Sequence, residues 1–199
     1  MSLFRCASAF VLLAVGMAVA AYAQTDKSFP SEYEINLMLT QAEQAIQQYK
    51  PLIDQQESQV GKSAQDAATN DRQVAASLQA AVNALKSNPQ EFNGPLGFAF
   101  FQWLDDASRN AALCASSASS QAESQMKNGN TAKANTLHHL AQSCTDASSL
   151  LHAVSKDAGS LYVRYLEAER QSAIRNDEMM KQCTEILKRY DTSPIKPLR

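Results

Sequence analysis

The sequence predicts an all-α protein: an antiparallel helical bundle built on a disulfide-stapled helical hairpin, with long first and last helices that are kinked or broken, giving four to five helices in total. Three observations predict it. Gly and Pro are scarce, at six each, and clustered, so Ala, Gln, Ser and Leu fill long uninterrupted stretches while strand-forming runs are absent. Apolar residues recur at alternating steps of three and four along most of the chain, the spacing that lays one stripe along a helix. Cys114 and Cys144 stand fifteen residues either side of Gly129 in Asn128-Gly129-Asn130, and each lies on such a stripe.

The chain opens with Arg5 before an apolar run from Ala7 to Ala21, followed by the small-x-small signal Ala21-Tyr22-Ala23. This pattern reads as a secretory signal peptide, residues 1–23, cleaved after Ala23. The run is about fifteen residues, shorter than the roughly 20 a membrane-spanning helix needs, and no later segment is apolar enough to cross. The expected location is therefore secreted or periplasmic, without stable membrane insertion once the signal is removed. An uncleaved anchor is the alternative. Residues 24–30 read as a mobile leader, 31–190 as one helical-bundle domain and 191–199 as a flexible tail.

Ser31 and Glu34 have the spacing of a capping box, in which the hydroxyl accepts from a free amide at the helix start and the carboxylate reaches back. From there the stripe runs Ile35, Leu39, Ala42, Ile46, Tyr49, Ile53, Gln56, Val60, Ala64, Ala67, and later Val74, Leu78, Ala81, Leu85. Unbroken to Ser87 it would extend roughly 85 Å at 1.5 Å per residue. Three features argue for interruption: Pro51, Gly61 and the polar run Thr69-Asn70-Asp71-Arg72. A kink at Pro51 is the expected form, and at 69–72 the helix either breaks or runs on.

Asn88-Pro89 and Asn93-Gly94-Pro95-Leu96-Gly97 make a turn-rich connection. The next helix, from about Phe98 to Lys127, begins with Phe98, Phe100, Phe101 and Trp103 and then becomes rich in Ala and Ser, which permits close helix approach. After Gly129, with Asn130 or Thr131 as cap, the last helix carries its stripe through Leu137, Leu140, Cys144, Ala147, Leu151 and Val154. It continues through Ala158, Leu161, Tyr165, Ala168, Ser172, Arg175, Met179, Cys183 and Ile186. Folding back at Gly129 sets Leu104 against Val154, Ala107 against Leu151, Ala111 against Ala147, Cys114 against Cys144 and Ala118 against Leu140. The unequal helix lengths then require either that the first helix folds back on itself or that overhanging stripes pair with another chain, for which a heptad-like stripe is suited.

Bulk properties narrow the chemistry. Removing the leader lowers 18 basic residues to 17 against 20 acidic, a net of −3, so no basic stripe suggests nucleic acid. Three cysteines remain after Cys6 is lost, and an oxidising compartment permits one bond and one thiol. A Cys114–Cys144 bridge leaves Cys183, most simply a buried thiol and otherwise an intermolecular one joining two copies; a Cys144–Cys183 link would defeat the register. His138 and His139 are adjacent and point about 100° apart, and His152 lies roughly 21 Å further along the axis, so no metal site is expected. Asp105-Asp106 lacks a third group for acid–base work. Without a phosphate loop, nucleophile elbow or zincin motif, no catalytic residue, metal or cofactor is expected.

The aromatic run, mirrored about Gly129, meets Leu161, Tyr162 and Tyr165. Phe98, Phe101, Trp103, Tyr162 and Tyr165 therefore form either a hydrophobic plug at one end, a pocket for an apolar ligand, or a patch for a partner. The functional expectation is a non-catalytic binding or structural module acting on an unknown protein partner or by self-association through its amphipathic helices. The alternative is a periplasmic or extracellular carrier of a small apolar or aromatic compound, and an enzyme stands third.

Overall fold

The computed structural model describes residues 29–60 and 65–191, and these are all-helical. Residues 1–28, which hold the expected signal peptide and most of the expected leader, and residues 192–199 of the expected tail lie outside the described residues. In chain order come α1 (Glu32–Val60), α2 (Gln65–Ser87), a 3-10 turn (Pro89–Asn93), α3 (Pro95–Lys127) and α4 (Thr131–Asp191). The chain divides into two compact units, one of them Pro30–Leu166, the other taking in Phe29 and the helical residues from Glu167 onward.

Within Pro30–Leu166, α1 starts where the capping box places it. Ser31 N–H donates to the Glu34 carboxylate at 2.8 Å, and Glu34 N–H donates to Ser31 Oγ at 3.3 Å, so two free donors of the first turn are satisfied reciprocally. The stripe from Ile35 to Gln56 is buried throughout. Pro51 sits within α1 on its exposed side.

Helix α2 runs through 69–72 without a break, and α1 and α2 are separate helices on either side of residues 61–64, which lie outside the described residues. The phase of the stripe changes between them. Ala67 is exposed while Ala68, Asp71, Val74, Ala75, Leu78, Ala81, Val82 and Leu85 are buried. The face α2 buries is the one that docks against α1 and α3. The first helix is thus two helices, and α1 packs on both α2 and α3.

The turn between α3 and α4 forms by a Schellman closure. Asn130 N–H donates to the Gln125 carbonyl at 2.9 Å, Gly129 N–H donates to the Met126 carbonyl at 3.0 Å, and Gly129 has φ of 77°. Only glycine takes that conformation without a Cβ penalty. Past the turn, Cys114 and Cys144 are bonded, with Cα atoms 6.0 Å apart, a span suited to a bridge. Ser108 Oγ donates to the Ser148 carbonyl at 3.1 Å and Ser148 Oγ donates to the Ser108 carbonyl at 2.9 Å. The residues placed opposite one another by the fold-back at Gly129 are buried on both helices.

Helix α4 carries through Gly159 without interruption within Pro30–Leu166, and the second unit takes its stretch from Glu167 to Asp191. Ala168 is buried, whereas Ile174, Met179 and Met180 are exposed. Cys183 is exposed as well. Its reading as a buried thiol is corrected: beyond Ala168 the three-four rhythm persists in sequence without the stripe being covered among the described residues.

Candidate functional site

The aromatic end begins with the 3-10 turn. Phe92 and Phe100 are completely buried, and fully burying one such side chain contributes on the order of 1.5–3 kcal/mol. Gly97 makes this possible. A Cβ there would collide with the Phe92 backbone, carbonyl oxygen first, so glycine lets the first turn of α3 rest directly on the preceding turn. Phe101 lies half-buried over Gly159, where an added Cβ would come within 3.0 Å of its ring. The glycine that weakens α4 locally therefore receives a side chain from α3. Trp103 is half-buried against the same core.

Tyr162 joins the buried rings to the surface. It meets Phe92 edge-on with centroids 6.4 Å apart, Phe98 at 5.7 Å and Tyr165 at 6.4 Å, within the range in which rings attract beyond simple area burial. Phe98 is 44% exposed. Nearby on α4, Val163 and Leu166 are exposed at 65% and 46%. Of the five residues singled out in sequence, Phe98, Tyr162 and Tyr165 form one chain of rings, Phe101 sits over Gly159, and Trp103 serves the core. This end of the protein is neither wholly buried nor enclosed.

A charged pair stands within this segment of α4. Arg164 donates to the Glu34 carboxylate at 2.6 Å. That bond, with the Ser31 amide and hydroxyl, holds the Glu34 carboxyl down at about 2 against a usual 4.5. The capping box is thereby doubled as a tie from α1 to α4. Its sequence signal was half visible: Ser31 and Glu34 are three apart, whereas Arg164 is 130 residues away.

A polar cluster that sequence reasoning missed lies in the interior. Asp71, from α2, is 3% exposed and Tyr49, from α1, is 2% exposed. The Tyr49 hydroxyl and the Asn110 side-chain nitrogen of α3 are buried atoms without a hydrogen-bond partner. Burial pushes the Asp71 carboxyl above the ordinary carboxylate range, and the Tyr49 and Asn110 side chains offset part of the rise. Burial, followed by the charge of Asp71, pushes the Tyr49 hydroxyl up as well. Asp71 precedes Val74, Ala75 and Leu78 by three, four and seven, so it is in phase with the buried face. That spacing was the available signal.

Two surface grooves lie elsewhere. One, of about 620 Å³, runs between α1 and α2 over Ile53 and Ala75, with Lys50 donating to Gln79 at 3.1 Å and Arg72 paired to Asp54 and Glu57 on its rim. The other, of about 450 Å³, lies by Pro30, Ile35 and Pro89. Among the described residues no three His, Cys, Asp or Glu side chains gather as metal ligands. His138, His139 and His152 are exposed. Asp105 is paired with Arg109 and Asp106 is exposed. No helix among the described residues is long and apolar enough to cross a membrane.

Comparison with protein-family models, curated proteins and solved structures returns no match. The class is set by the fold alone: an all-α, disulfide-bonded protein with a cluster of rings that runs from buried Phe92 through half-buried Tyr162 to exposed Phe98.

Proposed function

We propose that the protein is an exported, non-catalytic binding module, an antiparallel helical bundle on a stapled hairpin that docks a partner protein through its aromatic end. The observation that carries this reading is the exposure of Phe98, Val163 and Leu166 beside the Tyr162 and Tyr165 rings, while Phe92 and Phe100 a few residues away are fully buried. Rings left outside a core that has buried its neighbours offer apolar area and directional π faces to a partner. The antiparallel arrangement is supported by α3–α4 contacts in which one residue number falls as the other rises: Phe101 over Gly159, Ser108 with Ser148, Cys114 with Cys144. Export is supported by the sequence of residues 1–23 and by the disulfide, which belongs to an oxidising compartment.

The test is capture by the processed chain, wild type against Phe98→Ser with Val163→Ser. Both positions are exposed, so the fold should survive. A partner retained by wild type and lost by the variant is the expected result; equal retention by both overturns the reading. The carrier alternative rests on the same rings, and native mass spectrometry of a compact monomer carrying a small molecule would favour it instead.

A further inference from the structure

The aromatic end sets three kinds of surface side by side. Phe98, Tyr162 and Tyr165 follow one another with centroid steps of 5.7 and 6.4 Å, and Val163 and Leu166 are exposed on the same stretch of α4. Carboxylates border the rings. Glu34 bonds Arg164, which brings the first turn of α1, with Glu32, to this part of α4. Glu91 is exposed on the 3-10 turn beside Phe92, whose ring meets Tyr162. Past α4 the sequence reads Pro194-Ile195-Lys196-Pro197-Leu198-Arg199, two successive triplets of proline, aliphatic residue and cation. A polyproline II helix has three residues per turn. In that conformation the repeat has one edge of prolines, one of Ile195 and Leu198, and one of Lys196 and Arg199, and such segments suit surfaces lined with aromatic rings.

We propose that residues 194–199 of a second copy of this chain dock on the aromatic end, with Pro194 and Pro197 against the rings, Ile195 and Leu198 against Val163 and Leu166, and Lys196 and Arg199 toward the carboxylates of Glu32 and Glu91. The inference rests on the reading of this end as a docking surface and names its occupant. Apolar contact supplies the attraction, and two prolines lower its entropic cost because their φ angles are already fixed. Charge supplies the orientation. Glu91 accepts from Asn88 through one oxygen and keeps its negative charge, and ion pairs at a solvated rim steer and align a partner more than they add affinity. Each copy carries both the segment and the rings, so the contact is heterologous and association grows with concentration.

The experiment compares the full processed chain with its Pro194→Ala, Pro197→Ala double variant, both substitutions lying past Asp191 where α4 ends, and follows the ring resonances of Phe98 and Tyr162 by NMR. In wild type these resonances should move as chain concentration rises; in the variant they should stay still. A synthetic peptide of residues 192–199, titrated into the variant, should move them saturably. Its Kd should weaken about tenfold when the peptide carries Lys196→Ala with Arg199→Ala, and about tenfold when the chain carries Phe98→Ser. Wild-type resonances that ignore concentration, a peptide that leaves the rings unmoved, or equal binding despite either set of substitutions overturns the proposal. The proline substitutions leave the ring surface intact. A partner protein still captured through Phe98 and Val163 while the peptide fails would therefore remove the tail as occupant and spare the docking surface.

Discussion

Helix α4 meets the rest of its unit in two physically different ways. From Ala107 to Ala122, α3 buries almost nothing but small side chains: Ala107, Ser108, Ala111, Cys114, Ala118 and Ala122. Such residues allow close approach but bring little apolar area, and here the helices are joined by a covalent bond and by two serines exchanging hydrogen bonds across their backbones. Around Phe92 and Phe100 the reverse holds. Large rings supply the area, Gly97 opens the space they need, and the ties across helices are a ring contact and an ion pair. Packing and cross-linking substitute for one another along a single helix, and each region should fail under a different insult.

The largest expected effect comes from emptying the ring-filled end. Phe100→Ala should cost about 3–5 kcal/mol, since a fully buried aromatic leaves a cavity that its neighbours only partly collapse; urea unfolding measures it. Opening the other end should cost somewhat less. Replacing Cys114 and Cys144 together by Ala should lower stability by about 3–4 kcal/mol for a loop near 30 residues in the chain-entropy account. The same loss should appear in wild type on adding reductant, while Phe100→Ala stays sensitive to reductant to the same extent. If reductant leaves the wild-type midpoint unmoved, the small-residue region does not depend on its bridge and the contrast breaks.

Gly97→Ala sharpens the comparison, because it adds apolar area yet should destabilise by about 1–3 kcal/mol through overpacking against the Phe92 backbone. A neutral result by thermal unfolding would show that the turn shifts freely. The smallest effects belong to the polar tie. Ser31→Ala removes a cap and should cost about 1 kcal/mol. Glu34, depressed to about 2 from 4.5, contributes stability that is present above 4.5 and is lost as pH falls toward 2; Arg164→Gln should weaken that acid dependence, which an acid titration of wild type and variant would reveal.

Much of this was legible along the chain because it is local. The capping box at Ser31 and Glu34 and the glycine turn at Gly129 each need only residues within a few positions. The bridge follows once two stripes are folded about that turn. The aromatic end was legible as a group but not in its division of labour: sequence could not say that Phe100 would be buried completely while Phe98, two residues earlier, stays 44% exposed.

What the sequence by itself determined is therefore the helical class, the starts and turns, the inward stripes of α1, α3 and the first part of α4, and the pairing of Cys114 with Cys144. Only the tertiary structure decided that α1 ends at Val60, that Ala68 and Asp71 face inward where Ala67 does not, that Arg164 closes on Glu34, and that Cys183 is exposed. The physical reason is that a period of 3.6 residues holds phase only while the helix is continuous. From one helix to the next, the side that meets a neighbour is chosen by how whole helices dock, and partners such as Glu34 and Arg164 come together from positions that no local spacing connects.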